Sequence, residues 1–175
     1  MAHEDSVAYP PVDVDSPALT FRAVSTGMLL GGTLSLCNIY LGLKIGWGMN
    51  MSIAAALLGF GFWQTTTKVF GLRKFGVLEN NLNQTAASSA ASISSAGLVA
   101  PIPALTMLTG RTFSYWELSF WVLSVALVGV VVAIGLRKQM LVRDNLAFPG
   151  GLATGETLKE IYAKGSEATA RVRML

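Results

Sequence analysis

Histidine and cysteine are nearly missing from this 175-residue chain, which holds one of each, His3 and Cys37. A single cysteine forbids an intrachain disulfide. His3 sits in a polar leader, so a histidine metal site or a histidine-activated nucleophile in the apolar part of the chain is excluded. Charge is also scarce, at 13% against the roughly 25% usual for a soluble domain. No GxxxxGK[ST] phosphate loop occurs, which speaks against nucleotide hydrolysis. Net charge is +3, but the basic residues flank apolar segments and no basic patch with interleaved aromatics exists, so nucleic acid is not expected as a partner.

What is present is apolar: 52% hydrophobic residues and a mean hydropathy of +0.52. Residues 1–20 form an acidic, proline-containing tail without the basic start and apolar core of a signal peptide, and read as disordered or loosely attached. Four apolar segments follow, near Val24–Leu43, Ile45 or Met51–Thr67, Gln84–Leu108 and Leu118–Leu136, each long enough to cross a bilayer as a helix. The fold class expected is therefore all-α, a polytopic integral membrane bundle of about four helices over residues 21–145. Residues 146–175 add a re-entrant or surface half-helix. In that last part Leu146–Gly155 is too short to span, Asp144 or Asn145 suits a cap, Pro149 suits a first helical turn, and a polar helix over Glu156–Lys164 follows.

Basic residues set the orientation. Arg22, Lys68, Arg73, Lys74, Arg137, Lys138 and Arg143 lie on one side, with Lys44 and Arg111 on the other, which predicts a cytoplasmic N-terminus. Trp47, Trp63, Tyr115, Trp116 and Trp121 read as interfacial aromatics. Small-residue pairs (Gly27/Gly31, Gly42/Gly46, Ala87/Ala91, Ser88/Ser92, Ala91/Ser95) predict close helix packing, Cys37 reads as a small buried filler, and Pro101 and Pro103 should break or kink the third helix.

The segment with most to say is Glu79–Gly97. From Asn80 to Gly110 about 31 positions carry no charge, yet the first half holds three Asn, one Gln, one Thr and five Ser. Amides are costly in hydrocarbon, so these groups must face protein, water or a solute. Glu79, Asn80, Asn81, Asn83, Gln84 and Thr85 are read as a polar gate or solute contact, with Glu79 a possible proton carrier; the plainer reading is that Glu79 complements the helix dipole while Asn80 and Asn81 cap. The serines, including Ser88 and Ser92, either line a path or satisfy their hydroxyls within a packed helix. Lys44 is either a snorkelling interfacial lysine or part of an open GLKIGWG corner able to bind an anion. Phe148, Pro149 and Gly150 form either a plain turn or a half-helix whose amides point at an anionic solute group.

Three blocks together resemble the oligopeptide transporter superfamily, nearest its yellow-stripe-like branch: LTFRAVSTGMLLGG with NIYLGLKIGWGMNMSIAAALLGF, then ENNLNQTAASSAASISSAG, then LAFPGGLATGETL. Gly151-Leu152 and Gly155-Glu156 depart from the last block of that branch. The resemblance implies secondary active, proton-coupled import of short peptides or metal chelates across the plasma membrane, with no enzyme activity and no cofactor. A metal would arrive already chelated. It also implies a chain corresponding to the first third or less of a longer protein, completed by further helices or an oligomer. The alternative is a small non-transporting membrane scaffold or accessory subunit.

Overall fold

The computed structural model describes residues 16–94 and 100–173, with side chains as far as residue 163. The readings on the tail up to residue 15, His3, Ser95 and Gly97 lie outside the described residues. Six α-helices and no strand occur among the described residues: α1 (Phe21–Ile45), α2 (Ser52–Phe70), α3 (Val77–Ile93), α4 (Pro101–Thr109), α5 (Tyr115–Arg137, continued by a π turn over Lys138–Arg143) and α6 (Pro149–Arg173). The chain is an all-α membrane helical bundle. Phe21–Ile45 and Tyr115–Arg143 are long and apolar enough to cross a membrane.

α1 starts where the Thr20 hydroxyl accepts the Ala23 N–H at 3.3 Å. It stops at Gly46, whose φ of 74° lies in the left-handed region that suits glycine, with its N–H on the Gly42 carbonyl. Gly46 is thus a terminator, and only Gly42 of that pair is buried. The buried residues of α1 (Ala23, Gly27, Gly31, Leu34, Asn38 and Gly42) recur every three or four positions and form one stripe.

That stripe lies on α3. A Cβ on Gly27 would sit 2.8 Å from the Ala86 Cβ, and one on Gly31 would sit 2.7 Å from the Ala90 Cβ. Farther on, the Ser94 hydroxyl donates to the Ser35 carbonyl at 3.3 Å. The partners advance together, so α1 and α3 run parallel, with the oppositely directed α2 against both. Glycine is needed at these two positions because the backbones approach too closely for any side chain.

Several expectations are corrected by this packing. The break expected from Pro101 and Pro103 is present, with α4 starting at Pro101, but the boundaries differ: α3 begins at Val77, before Gln84, and already ends at Ile93. Asn80 and Asn81 are interior helix residues rather than caps, since Gly76 already fills the cap position ahead of Val77. Cys37 is exposed, one position off the buried stripe. Trp63 is buried, stacked on Phe75 with ring centroids 5.4 Å apart, and is no interfacial anchor. The last segment is one helix from Pro149, whose first turn is closed by Leu152 N–H on the Phe148 carbonyl. Asp144 and Asn145 lie too far upstream to cap it.

α6 covers one side of α2 and α3. The Tyr162 hydroxyl donates to the Gly76 carbonyl at 3.1 Å, and the Tyr162 ring meets Phe60 edge-on. At the other end a Cβ on Gly150 would lie 3.4 Å from the Asn50 amide nitrogen, and Asn50 in turn accepts from Ser88. Gly150 therefore lies near the level of Ser88 and Tyr162 near Gly76, so α6 runs antiparallel to α3. α5, by contrast, has no buried residue.

Candidate functional site

The polar residues of α3 sit on a helix of 17 residues, about 25 Å long, and divide into three groups along it. The first is a charge clamp at the end bearing Arg22. Glu79, 2% exposed, accepts from Arg22 Nε at 2.8 Å, from Arg22 Nη2 on its other oxygen, from the Thr20 hydroxyl at 2.8 Å and from the Gly76 N–H at 3.2 Å. Arg73 adds a contact at 3.2 Å. The Arg22 guanidinium also donates to the carbonyls of Arg73 and Lys74 and lies 5.1 and 5.3 Å from the ring centres of Trp63 and Phe75. Glu79 is buried and Arg22 half-buried, and both are fully served by donors or acceptors, the condition under which such a pair is tolerated. Glu79 is held by the start of α1 and the α2–α3 loop, so it acts as a tie between them.

The second group is an amide core in the middle of the bundle. Asn80 Nδ2 donates to the Ala56 carbonyl of α2 at 3.1 Å, and Asn83 Oδ1 accepts from the Thr26 hydroxyl of α1 at 3.0 Å. Gly59 leaves room for both amides: a Cβ there would fall 3.0 Å from Asn80 Oδ1. Asn38 does the same work higher up. Its amide donates to the carbonyls of Met49 and Ala91 at 3.1 and 3.0 Å while its oxygen accepts the Met49 N–H at 3.1 Å, fixing the α1–α2 connection.

The third group follows the stripe Asn80, Gln84, Ser88, one residue per turn. Ser88 bonds to the Ser52 hydroxyl at 2.9 Å and to Asn50 at 3.2 Å. Gln84 is buried, and its Nε2 donates to Asn81 Oδ1 and to the Thr85 hydroxyl at 3.0 and 3.1 Å. Its Oε1, however, is buried with no hydrogen-bond partner among the described residues. Burying such an acceptor costs about 1–3 kcal/mol.

The structure thus keeps Glu79, Asn80, Asn83, Gln84 and Ser88 inside the bundle, with Asn80, Gln84 and Ser88 on one stripe and Glu79 and Asn83 turned toward α1. Asn81, Thr85 and Ser92 are exposed on other faces. Phe148, Pro149 and Gly150 are exposed at the start of α6, near the Asn50–Ser88 end of the stripe. Lys44 is exposed in the last turn of α1 and joins none of these groups.

Comparison with known proteins places the chain in a family. The family model described as OPT oligopeptide transporter protein matches residues 18–175. The chain belongs to the oligopeptide transporter family. It is 34% identical over 157 residues to a Saccharomyces cerevisiae protein provisionally named an oligopeptide transporter, covering 80% of this chain and 22% of that one. A Haemophilus influenzae protein with the same provisional name is 37% identical over 122 residues (69% and 18%). The Arabidopsis thaliana metal-nicotianamine transporter YSL2 is 30% identical over 179 residues (87% and 26%). The chain therefore spans about a fifth to a quarter of the length of the curated relatives it matches. No solved structure gives a significant match.

Four residues of this oligopeptide transporter segment do more than their place in the sequence advertised. Arg22 counts only toward orientation until its partner 57 positions away is known. Thr26 and Gly59 carry no local signal at all. Asn38 does: a lone amide inside an apolar run demands a hydrogen-bond partner and is a site hypothesis by default.

Proposed function

We propose that this chain supplies the opening helices of a secondary active transporter that imports short peptides or metal chelates, coupled to protons, across the plasma membrane. The N-terminus and the Lys68–Leu78 connection face the cytoplasm in this reading, on the asymmetry of seven basic residues against two. The observation that carries it is Gln84. In a family of transporters, a buried amide whose oxygen finds no partner among its own helices is a group available to a solute or to water.

The same reading narrows the pathway. Asn80, Asn83 and Glu79 are spent on holding helices together, so the groups left for a solute are Gln84, Asn81 and Thr85, with the amides at the start of α6. Glu79 would take part in proton movement only by giving up Arg22. The names of the relatives support both peptide and metal-nicotianamine cargo and do not choose between them.

The test is uptake of labelled peptides and of ferric chelates into proteoliposomes holding the full-length protein that contains this segment. Gln84→Leu should abolish uptake while leaving folding intact; normal uptake would remove Gln84 from the path. A cysteine at Gly110 should label from outside and one at Gly71 should not, and the reverse pattern would overturn the orientation.

A further inference from the structure

The stripe Asn80–Gln84–Ser88 is not open. Gly150 lies near Asn50 at the Ser88 end, the Tyr162 hydroxyl binds the Gly76 carbonyl beside Asn80 at the other, and twelve residues separate the two contacts on each helix. Between them Thr154 and Leu158 of α6 are buried, one turn apart. In this antiparallel register Thr154 lies at the level of Gln84. The Thr154 hydroxyl is spent on its own helix, donating to the Gly150 carbonyl at 2.8 Å, and the Gln84 oxygen has no donor among the described residues.

The two seams of α3 are unlike. Against α1 there are glycines with no room for a Cβ, a saturated charge clamp and hydrogen bonds from both ends of the helix. Against α6 the Tyr162 hydroxyl ties to the Gly76 carbonyl, no glycine seam of that kind is present among the described residues, and the Gln84 oxygen on this side of α3 has no hydrogen-bond partner among them. α6 is joined to α5 by a π turn and the non-helical residues 144–148, where Asn145 takes a φ of 44°, a conformation few non-glycine residues adopt. Such a joint can absorb a rotation without disturbing a helix.

We propose that α6 is a movable cover over the Asn80–Gln84–Ser88 stripe, hinged at residues 144–148 and latched by Tyr162, while α1, α2 and α3 stay together as one body. This rests on reading Gln84, in the middle of that stripe, as part of the transport path and names the element that opens it. When α6 lifts, Gln84 meets water; when it docks, the stripe is sealed.

Thiol labelling of the full chain in lipid nanodiscs tests this, with Cys37→Ser as background and a small water-soluble maleimide as probe. Gln84→Cys should react at least about tenfold faster than Leu34→Cys, which lies in the α1–α3 core, and adding Tyr162→Phe should speed only the Gln84 position. Gln84→Cys as inert as Leu34→Cys, or a rate indifferent to Tyr162→Phe, would overturn the proposal. Should a cysteine variant misfold, hydrogen exchange on the unmodified chain decides: residues 152–163 should exchange together and faster than α1 and α3, and equal protection would sink the hinge. Neither measurement reads uptake, so a moving α6 and a failed transport reading remain separable outcomes.

Discussion

α3 and α5 invert the rule that holds in water. α3 is rich in Asn, Ser and Ala, and it is the helix that the others bury. α5 is mostly Leu, Val, Ile and aromatic, and not one of its residues is buried. In a bilayer a leucine gains nothing by leaving lipid for protein, so apolar character no longer selects the interior. Close backbone approach and hydrogen bonding select it. Fully buried alanines and asparagines such as Ala23, Ala55, Ala87, Asn38, Asn80 and Asn83 are the result.

The comparison breaks first at the charge clamp. Arg22→Leu would leave the Glu79 carboxylate buried with its main donor gone, at a cost of about 3–5 kcal/mol. Thermal unfolding in mild detergent should register the largest drop of any single change here; a melting temperature within a degree of the parent would show that the clamp holds nothing. Next comes the glycine seam. Gly31→Ala places a methyl 2.7 Å from the Ala90 Cβ and 3.0 Å from the Ala87 carbonyl oxygen, and should cost about 1–3 kcal/mol. The neighbouring Gly32→Ala has no atom within 4 Å and should change stability by less than about 0.5 kcal/mol. Equal effects at the two glycines would mean that α1 and α3 do not pack along this stripe.

Much of this architecture could be read from the sequence because the signals were local and periodic. Gly27 and Gly31 announced a seam, Pro149 marked a helix start, and the run of amides marked the buried helix. What escaped was long-range. Trp63 resembles an interfacial aromatic until Arg22 and Phe75 are seen to close on it. Asn80 resembles a cap because asparagine usually caps, but Gly76 already fills that position and Glu79 reaches back to its N–H. Cys37 resembles a core residue by habit, and missed the interior by one position on the helix. For the candidate site, composition pointed to the amides of α3 but could not say which of them are already spent on neighbouring helices.

Asn80 and Gln84 sharpen that distinction between structural and available amides. Asn80→Leu loses the bond to the Ala56 carbonyl and the 3.5 Å contact with Asn83, both in a buried setting, and should cost about 1–3 kcal/mol. Gln84→Leu removes an orphaned acceptor, so stability should hold or rise by up to about 1 kcal/mol. Unfolding midpoints of the two variants, measured side by side, check this. A loss at Gln84 equal to that at Asn80 would make Gln84 a structural tie as well.

The smallest effect belongs to α5. Val131 is 69% exposed, and no residue of its helix is buried. Val131→Ala therefore creates no cavity, and the missing methyl groups should change stability by less than about 0.5 kcal/mol. The measurement is a detergent unfolding midpoint, repeated after reconstitution into a bilayer. A loss beyond about 2 kcal/mol is the size seen when a packed aliphatic side chain is cut back inside a core. It would show that α5 packs on something other than lipid, whether a second copy or further helices, and that the contrast between α3 and α5 reflects partners rather than the bilayer.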